Sequence, residues 1–137
     1  MIGLDANVLV RAAVGDDPDQ AAQAKNRLSA LTAVEPGFVT HIVLVELWWV
    51  LTRAYEKKAS EALAFLTRLT ETATIVIQDR DLVITALAAV RDSGADFADA
   101  LIVAVSTASN CSAVETFDVG AIKHAGMRQL TRRLPIS

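Results

Sequence analysis

Four acidic residues are the strongest candidates for chemistry in this chain. Each adjoins apolar residues, where an ionised carboxylate is unfavourable unless it is paired or bound to a cation. They are Asp5, Glu46, Asp99 and Asp118. Carboxylate oxygens are the ligands that Mg²⁺ and Mn²⁺ prefer, and these cations keep several waters and bind substrate phosphate. The acids therefore predict a site for a hard divalent cation.

Glu46 gives the sharpest signal of the four. It stands inside the nearly apolar run 42–51, which we interpret as part of a buried helix over residues 42–55. In such a helix its carboxylate must be paired, protonated or bound to a cation. A salt bridge to Arg53, or a position on an exposed edge, is the structural alternative. Arg53 lies two helical turns away, which is too far for a direct helix pair.

The three aspartates also have plain structural interpretations. Asp5 suits a turn or a helix cap, and Asp118 suits a loop that precedes Val119-Gly120. Asp99 suits the first turn of a helix that Asp96 caps, and Asp96 shares a helix face with it. Asn7 adds a second oxygen-bearing side chain beside Asp5. Convergence favours the functional interpretation, because acids gathered at one edge repel one another until a divalent cation joins them.

Histidine and cysteine do not compete for the metal role. His41 and His124 are isolated in the sequence, and we interpret them as surface or supporting residues. Cys111 is the only cysteine. It excludes an internal disulfide framework and favours a reducing compartment.

The elements that must position the acids alternate between short apolar runs and helical periods. Strands are predicted at residues 2–4, 38–40, 74–77 and 113–117, with helices between them and no hairpin signals. This alternation predicts an α/β fold, a three-layer α/β/α sandwich around a central, mainly parallel sheet of four to five strands. Ligands bind at the carboxyl ends of such strands. Without a linker or repeat, residues 1–137 are expected to form a single domain.

Composition narrows the class of protein. Hydrophobic residues make up 53% of the chain and charged residues 21%, which excludes a disordered or low-complexity protein. No apolar run is long enough to cross a bilayer and no export signal is visible, so we expect no membrane and a cytoplasmic location.

The net charge of the chain can be interpreted only when the acids of the predicted site are considered separately from the other acids. Sixteen acids against thirteen bases give a net charge of −3, which at first argues against a nucleic-acid partner. Setting the four site acids aside leaves twelve acids against thirteen bases. A metal-loaded site could then attract a polyanion. The bases, Arg11, Lys25 and Arg27 among them, are spread along the chain without a dense basic stripe.

The acids fall within motifs that resemble those of the PIN-domain ribonucleases, and most closely the VapC-type toxins of toxin–antitoxin pairs. In chain order these motifs are Ile2-Gly3-Leu4-Asp5-Ala6-Asn7-Val8-Leu9, Thr40 followed by Val45-Glu46-Leu47, Asp96-Phe97-Ala98-Asp99-Ala100-Leu101-Ile102, and Thr116-Phe117-Asp118. The resemblance covers essentially the whole chain. It departs at Val119-Gly120, where relatives often carry a further polar residue and an aromatic one.

The resemblance implies a Mg²⁺- or Mn²⁺-dependent endoribonuclease that is neutralised by a cognate antitoxin and is commonly dimeric. The catalytic and metal-binding acids that it implies are Asp5, Glu46, Asp99 and Asp118. The polar supports that it implies are Asn7 and Thr116, and Asp96 stays an open addition to the site. The implied partners are an RNA substrate, the antitoxin and a second copy of the chain.

Trp48 and Trp49 are adjacent, so on a helix they point about 100° apart. We expect one of them to fill the core. The other, with Leu44 or Leu51, would then face a dimer mate or an antitoxin segment. The alternative is that both belong to the core.

Two other functions stay open. A Mg²⁺-dependent phosphatase of the haloacid-dehalogenase type also begins with an acid after the first strand. It has a second Asp two residues later, followed by Gly-Thr, where this chain has Asn7-Val8-Leu9. A non-catalytic PIN-like module that binds RNA or protein is the third possibility. The intact acid set argues against it, since a pure binding module would gain by losing carboxylates that repel one another.

Overall fold

The computed structural model describes residues 1–130, and within them seven α-helices alternate with five short strands. The strands are β1 (Ile2–Gly3), β2 (Gly37–Val39), β3 (Ile75–Ile77), β4 (Glu115–Thr116) and β5 (Arg128–Gln129). The helices are α1 (Ala6–Val14), α2 (Pro18–Ser29), α3 (His41–Trp49), α4 (Ala59–Glu71), α5 (Arg80–Ser93), α6 (Phe97–Ala108) and α7 (Val119–His124). None of these helices combines the length and the hydropathy that crossing a membrane requires.

The chain forms two compact units, Met1–Ile84 and a second unit from Thr85 onward. The first unit holds a sheet with the strand order β1-β2-β3, and the second holds β4 paired with β5. Every strand pair among residues 1–130 is parallel. The prediction of an α/β fold with parallel strands and helices is confirmed.

The five strands fall into two sheets of three and two, whereas we predicted one central sheet of four to five. In the second unit, β4 and β5 have two residues each. Backbone N–H groups of Arg128 and Leu130 donate to the carbonyls of Val114 and Thr116, at 2.8 and 3.0 Å. Strands of two residues share few hydrogen bonds. The pattern of apolar runs therefore indicates where strands occur but not which of them pair. The prediction of a single domain over residues 1–137 stays a prediction.

Local capping chemistry sets the bounds of α1 and α2. Asp17 begins α2, because its side chain accepts a hydrogen bond of 3.1 Å from the N–H of Gln20 and Pro18 suits the first turn. Gly15 ends α1 in the left-handed conformation, at φ 71°, with its N–H donating to the carbonyl of Arg11. Helices α1 and α2 therefore occupy the stretch between β1 and β2, where the sequence predicts helix.

The core of the first unit is built from one face of each helix. The side chains of Leu9, Val39, Leu44, Leu47 and Leu66 are fully buried. They come from α1, β2, α3 and α4. Helix α1 packs against α2 and α3, and α4 packs against β3. In the second unit Phe97 is fully buried at the start of α6.

The run predicted as one helix over residues 42–55 is divided. After α3 the chain winds into a π-helical segment, Val50–Ala54, whose wider turn is closed by the Tyr55 N–H donating to the Val50 carbonyl at 3.1 Å. Trp48 is buried at 6% exposure and Trp49 is 59% exposed, so one tryptophan fills the core, as expected. Leu44 and Leu51 are buried and do not accompany Trp49, contrary to our expectation.

The two adjacent tryptophans should respond very differently to truncation. We expect Trp48→Ala to lower the free energy of unfolding by about 3–5 kcal/mol, because it leaves a large cavity in the core. Trp49→Ala should change it by no more than about 0.5 kcal/mol. Urea denaturation followed by circular dichroism measures both values. Equal losses would show that Trp49 also supports the fold.

Candidate functional site

In the first unit, the carboxyl edge of the sheet presents polar side chains. The strands β1, β2 and β3 are parallel, so their carboxyl ends lie at one edge. Asp5 follows β1 and caps α1, accepting a hydrogen bond of 2.8 Å from the N–H of Ala6. Asp5 and Asn7 are both exposed. This edge therefore carries the first two predicted site residues.

Thr40 and His41 follow β2 at the same edge. The hydroxyl of Thr40 caps α3 by accepting from the N–H of Val43 at 3.2 Å. The backbone N–H of His41 donates to the side-chain oxygen of Gln78 at 2.9 Å, and its ring Nε2 lies 2.8 Å from the Gln78 carbonyl oxygen. His41 thus joins the ends of β2 and β3, and this contact gives its ring a supporting role.

Glu46 lies on an exposed face of α3, which corrects our interpretation of a helix buried on all sides. It is exposed and stands between Ile42, at 79% exposure, and Trp49. Residues 42, 46 and 49 share one stripe, and the core packs against the opposite side. No salt bridge joins Glu46 to Arg53 within residues 1–130. The carboxylate is therefore available to a ligand from solvent, and burial no longer argues for its function.

In the second unit, three acids lie within electrostatic range of one another. Asp96 caps α6 by accepting from the N–H of Asp99 at 3.3 Å. Asp99 is partly buried in the first turn. Burial, followed by the negative charges of Asp96 and Asp118, raises the pKa of Asp99 above its ordinary value. Asp99 therefore interacts electrostatically both with Asp96, with which we predicted it to share a helix face, and with Asp118.

Thr116 supports Asp118 directly. Its hydroxyl accepts from the N–H of Asp118 at 3.0 Å. The carboxylate of Asp118 in turn accepts from the N–H of Gly120 at 2.9 Å and caps α7. Asp118 therefore caps a helix where the structural alternative expected a loop residue, and this role leaves its second carboxylate oxygen open to a ligand.

His124 also has a structural partner. Its ring Nδ1 lies 3.1 Å from the carbonyl oxygen of Ser93. Since a ring N–H facing a carbonyl acts as a hydrogen-bond donor, this nitrogen is not presented to a metal.

The donor set suits a hard cation that keeps its own water. Within residues 1–130, no three His, Cys, Asp or Glu side chains are arranged as a preformed metal site. Mg²⁺ commonly uses only one or two carboxylates together with several waters. The partly buried Asp99, repelled by Asp96 and Asp118, fits that mode, because a cation beside it offsets the repulsion.

One feature beside Asn7 was missed by the sequence analysis. A cavity of about 280 Å³ lies there, and Arg11 and Arg27 line it. We had counted both arginines among scattered bases. A usable signal was the spacing of Gln20, Gln23 and Arg27, which places all three on one face of α2.

The comparison with protein families identifies the fold. The model of the PIN domain family matches residues 2–126. The chain belongs to the PIN domain family. PIN domains are a nuclease family whose members are typically hydrolases of RNA, and the motif resemblance is confirmed at this level.

Two further comparisons add no assignment beyond the family. No curated protein matches this PIN domain. Among solved structures it is similar to VapC20 of Mycobacterium tuberculosis, described as a Sarcin-Ricin loop cleaving toxin. The two share 19% sequence identity and a TM-score of 0.46, over 96% of this chain and 100% of that one.

Proposed function

We propose that this PIN domain is a Mg²⁺- or Mn²⁺-dependent endoribonuclease and the toxin of a toxin–antitoxin pair. The observation that carries the proposal is that the family match over residues 2–126 contains every acid of the predicted set. Those acids are Asp5, Glu46, Asp99 and Asp118. A nuclease family match that includes the full acid set supports a working active site.

The acids divide the chemical work between them. Asp5, Asp99 and Asp118 would hold the cation, with Glu46 as a fourth ligand or as a base. When bound, the ion polarises the phosphodiester and lowers the pKa of a water molecule. If it acts as the base, Glu46 would orient the attacking water and accept its proton, for which an exposed carboxylate is available. The products are expected to carry 5′-phosphate and 3′-hydroxyl ends.

The supporting residues fix the positions of these acids. Thr116 holds the backbone at Asp118 through the 3.0 Å hydrogen bond. Asn7 offers an amide next to Asp5, able to hold a water or a phosphate oxygen. The side chain of Asp96 caps the first turn of α6. Its negative charge disfavours the ionised form of Asp99, and a bound cation would offset that repulsion. We therefore place Asp96 among the supporting residues.

The toxin assignment brings further expectations. A cognate antitoxin, a homodimer and a cytoplasmic location all belong to the proposal. Induced expression in bacteria tests the toxin part directly. Wild type should arrest growth, and Asp5→Asn and Asp99→Asn should not. Harmless wild-type protein at a high expression level would contradict a toxin role.

Cleavage of a bacterial total-RNA pool tests the nuclease assignment on many potential target sequences at once. We expect discrete fragments with 5′-phosphate ends when Mg²⁺ or Mn²⁺ is present, and none with a chelator. Asp99→Asn, purified in parallel, controls for contaminating ribonuclease. An intact pool in Mn²⁺, or cleavage that persists in chelator, would contradict the assignment.

The same protein distinguishes the two remaining functions. Hydrolysis of p-nitrophenyl phosphate without RNA cleavage would favour the phosphatase. RNA that is bound but left intact in Mn²⁺ would favour a binding module. We expect neither result.

A further inference from the structure

A cavity between α1 and α2 has the lining of a nucleotide site. Its volume is about 280 Å³, just below the roughly 300 Å³ at which ligand pockets start. The residues that line it are Asn7, Val8, Arg11, Gln20, Gln23, Ala24 and Arg27. All of them belong to the first unit, and α1 and α2 pack against each other. A small group held between two helices is the kind of ligand that such a space admits.

The lining combines donors with an apolar surface and contains no carboxylate. Two guanidinium groups provide permanent positive charge, and three amides provide both donors and acceptors. Val8 and Ala24, with the methylene groups of the longer side chains, supply the apolar part. Charge favours an anion, the amides can contact the edge of a base, and the apolar part can lie against its face. These three properties together match a nucleotide better than a simple anion.

The two arginines differ in how free their charges are. Arg11 is held by Asp16 at 2.9 Å and lies 3.4 Å from the Tyr55 hydroxyl. That hydroxyl donates to the other Asp16 oxygen at 2.8 Å, so Arg11 is fixed and partly neutralised. Arg27 is exposed and forms no salt bridge within residues 1–130. Arg27 therefore offers the cavity's uncompensated charge.

The position of the cavity links it to the acids. Asn7, one of its lining residues, stands two positions after Asp5 on the first turn of α1. A nucleotide in the cavity would therefore lie against the N-terminal half of α1, the helix that Asp5 caps. Guanidinium groups bind phosphate through two parallel hydrogen bonds, and proteins read unpaired RNA bases through hydrogen bonds to the base edges.

We propose that this cavity binds one unpaired nucleotide of the RNA substrate, with Arg27 on its phosphate and its base against Val8 and Ala24. The proposal rests on the proposed ribonuclease function. It makes Arg27 a residue for substrate binding rather than for the chemical step. The amides of Gln20 and Gln23 would contact the base or the sugar.

Binding of a labelled single-stranded RNA, measured by fluorescence anisotropy in chelator, tests the proposal without cleavage. We expect Arg27→Ala to weaken affinity about tenfold and to reduce the salt slope by about one unit. Lys25→Ala is the matched control, since Lys25 is an exposed cation on the same helix and does not line the cavity. It should change affinity less than about twofold. Equal losses in the two variants would overturn the proposal.

Two further arms separate a nucleotide from other ligands. A duplex RNA of equal length should bind with no difference between wild type and Arg27→Ala. Inorganic phosphate should compete for the cavity much more weakly than a nucleoside monophosphate. If duplex binding shows the same loss, or if phosphate competes as well as the nucleotide, the cavity does not hold an unpaired nucleotide.

Cleavage kinetics distinguish failure of this inference from failure of the proposed function. With Mg²⁺, Arg27→Ala should raise KM while leaving kcat within about twofold of wild type. If no RNA is cleaved but Arg27→Ala alone weakens binding, the nuclease proposal fails and the cavity proposal stands. If RNA is cleaved and Arg27→Ala behaves like Lys25→Ala, only the cavity proposal fails.

Discussion

Asp99→Asn is expected to lower the rate of RNA cleavage by at least about 10²–10³-fold while leaving the fold intact. The substitution removes a negative charge that the proposed cation needs, yet keeps a side chain of the same shape. In the folded protein the pKa of Asp99 is raised by burial and by the charges of Asp96 and Asp118. The initial cleavage rate at saturating Mg²⁺ measures the effect.

The raised pKa of Asp99 also determines the direction in which the stability of the folded protein changes with pH. Between the unfolded and the folded pKa of Asp99, the native state binds more protons, so wild-type stability falls as pH rises through this interval. Above the folded pKa the ionised carboxylate destabilises the native state. Asp99→Asn removes this penalty. Without metal at neutral pH, its melting temperature should therefore equal or exceed that of wild type.

Adding Mg²⁺ in the same melting experiment distinguishes a metal-binding role of Asp99 from a structural role. Wild type should gain stability, because the cation binds only the native state, and Asp99→Asn should gain less. Cleavage within twofold of wild type would contradict the assigned role. A lower melting temperature without metal would indicate that Asp99 is structural.

The second large effect on the rate of RNA cleavage is expected from substituting Asp5 and Asp118, two aspartates of the predicted site that also cap helices. Asp5 caps α1 and Asp118 caps α7, and asparagine caps helices about as well as aspartate does. If capping is their whole role, Asp5→Asn and Asp118→Asn should keep both stability and activity. We instead expect cleavage to fall about 10²-fold or more in each, with the melting temperature nearly unchanged.

Asp17 provides the matched control for these two substitutions. It caps α2 through the N–H of Gln20 and lies outside the predicted acid set. Asp17→Asn should therefore keep both activity and stability. If all three variants cleave RNA equally well, the acids are caps only. If Asp17→Asn also loses cleavage, the assay reports a general effect of charge.

Local signals in the sequence predicted those parts of the molecule that local chemistry determines. The cap and proline at residues 17–18 set the start of α2, and β-branched residues produced β3 at Ile75–Ile77. The caps at Asp5 and Asp96 were among the open interpretations of the sequence. Each of these features depends on neighbours within a few residues, and a sequence displays such neighbours directly.

The features that the sequence could not predict depend on tertiary packing. Helix α3 is apolar nearly all round, so no periodicity indicates which face is exposed, and the position of Glu46 follows only from how the core packs. The cavity beside Arg27 exists because α2 lies against α1. The grouping of the strands into two sheets depends on pairs far apart in the chain, such as Thr116 with Gln129.

Titration of Mn²⁺ into the purified protein, followed by electron paramagnetic resonance, most directly tests the proposal that Asp99 and Asp118 bind a common cation. Wild type and Asp17→Asn should bind Mn²⁺ alike. Asp99→Asn and Asp118→Asn should each weaken the same binding about 10–100-fold. Mn²⁺ binding that either variant retains at wild-type affinity would contradict the account.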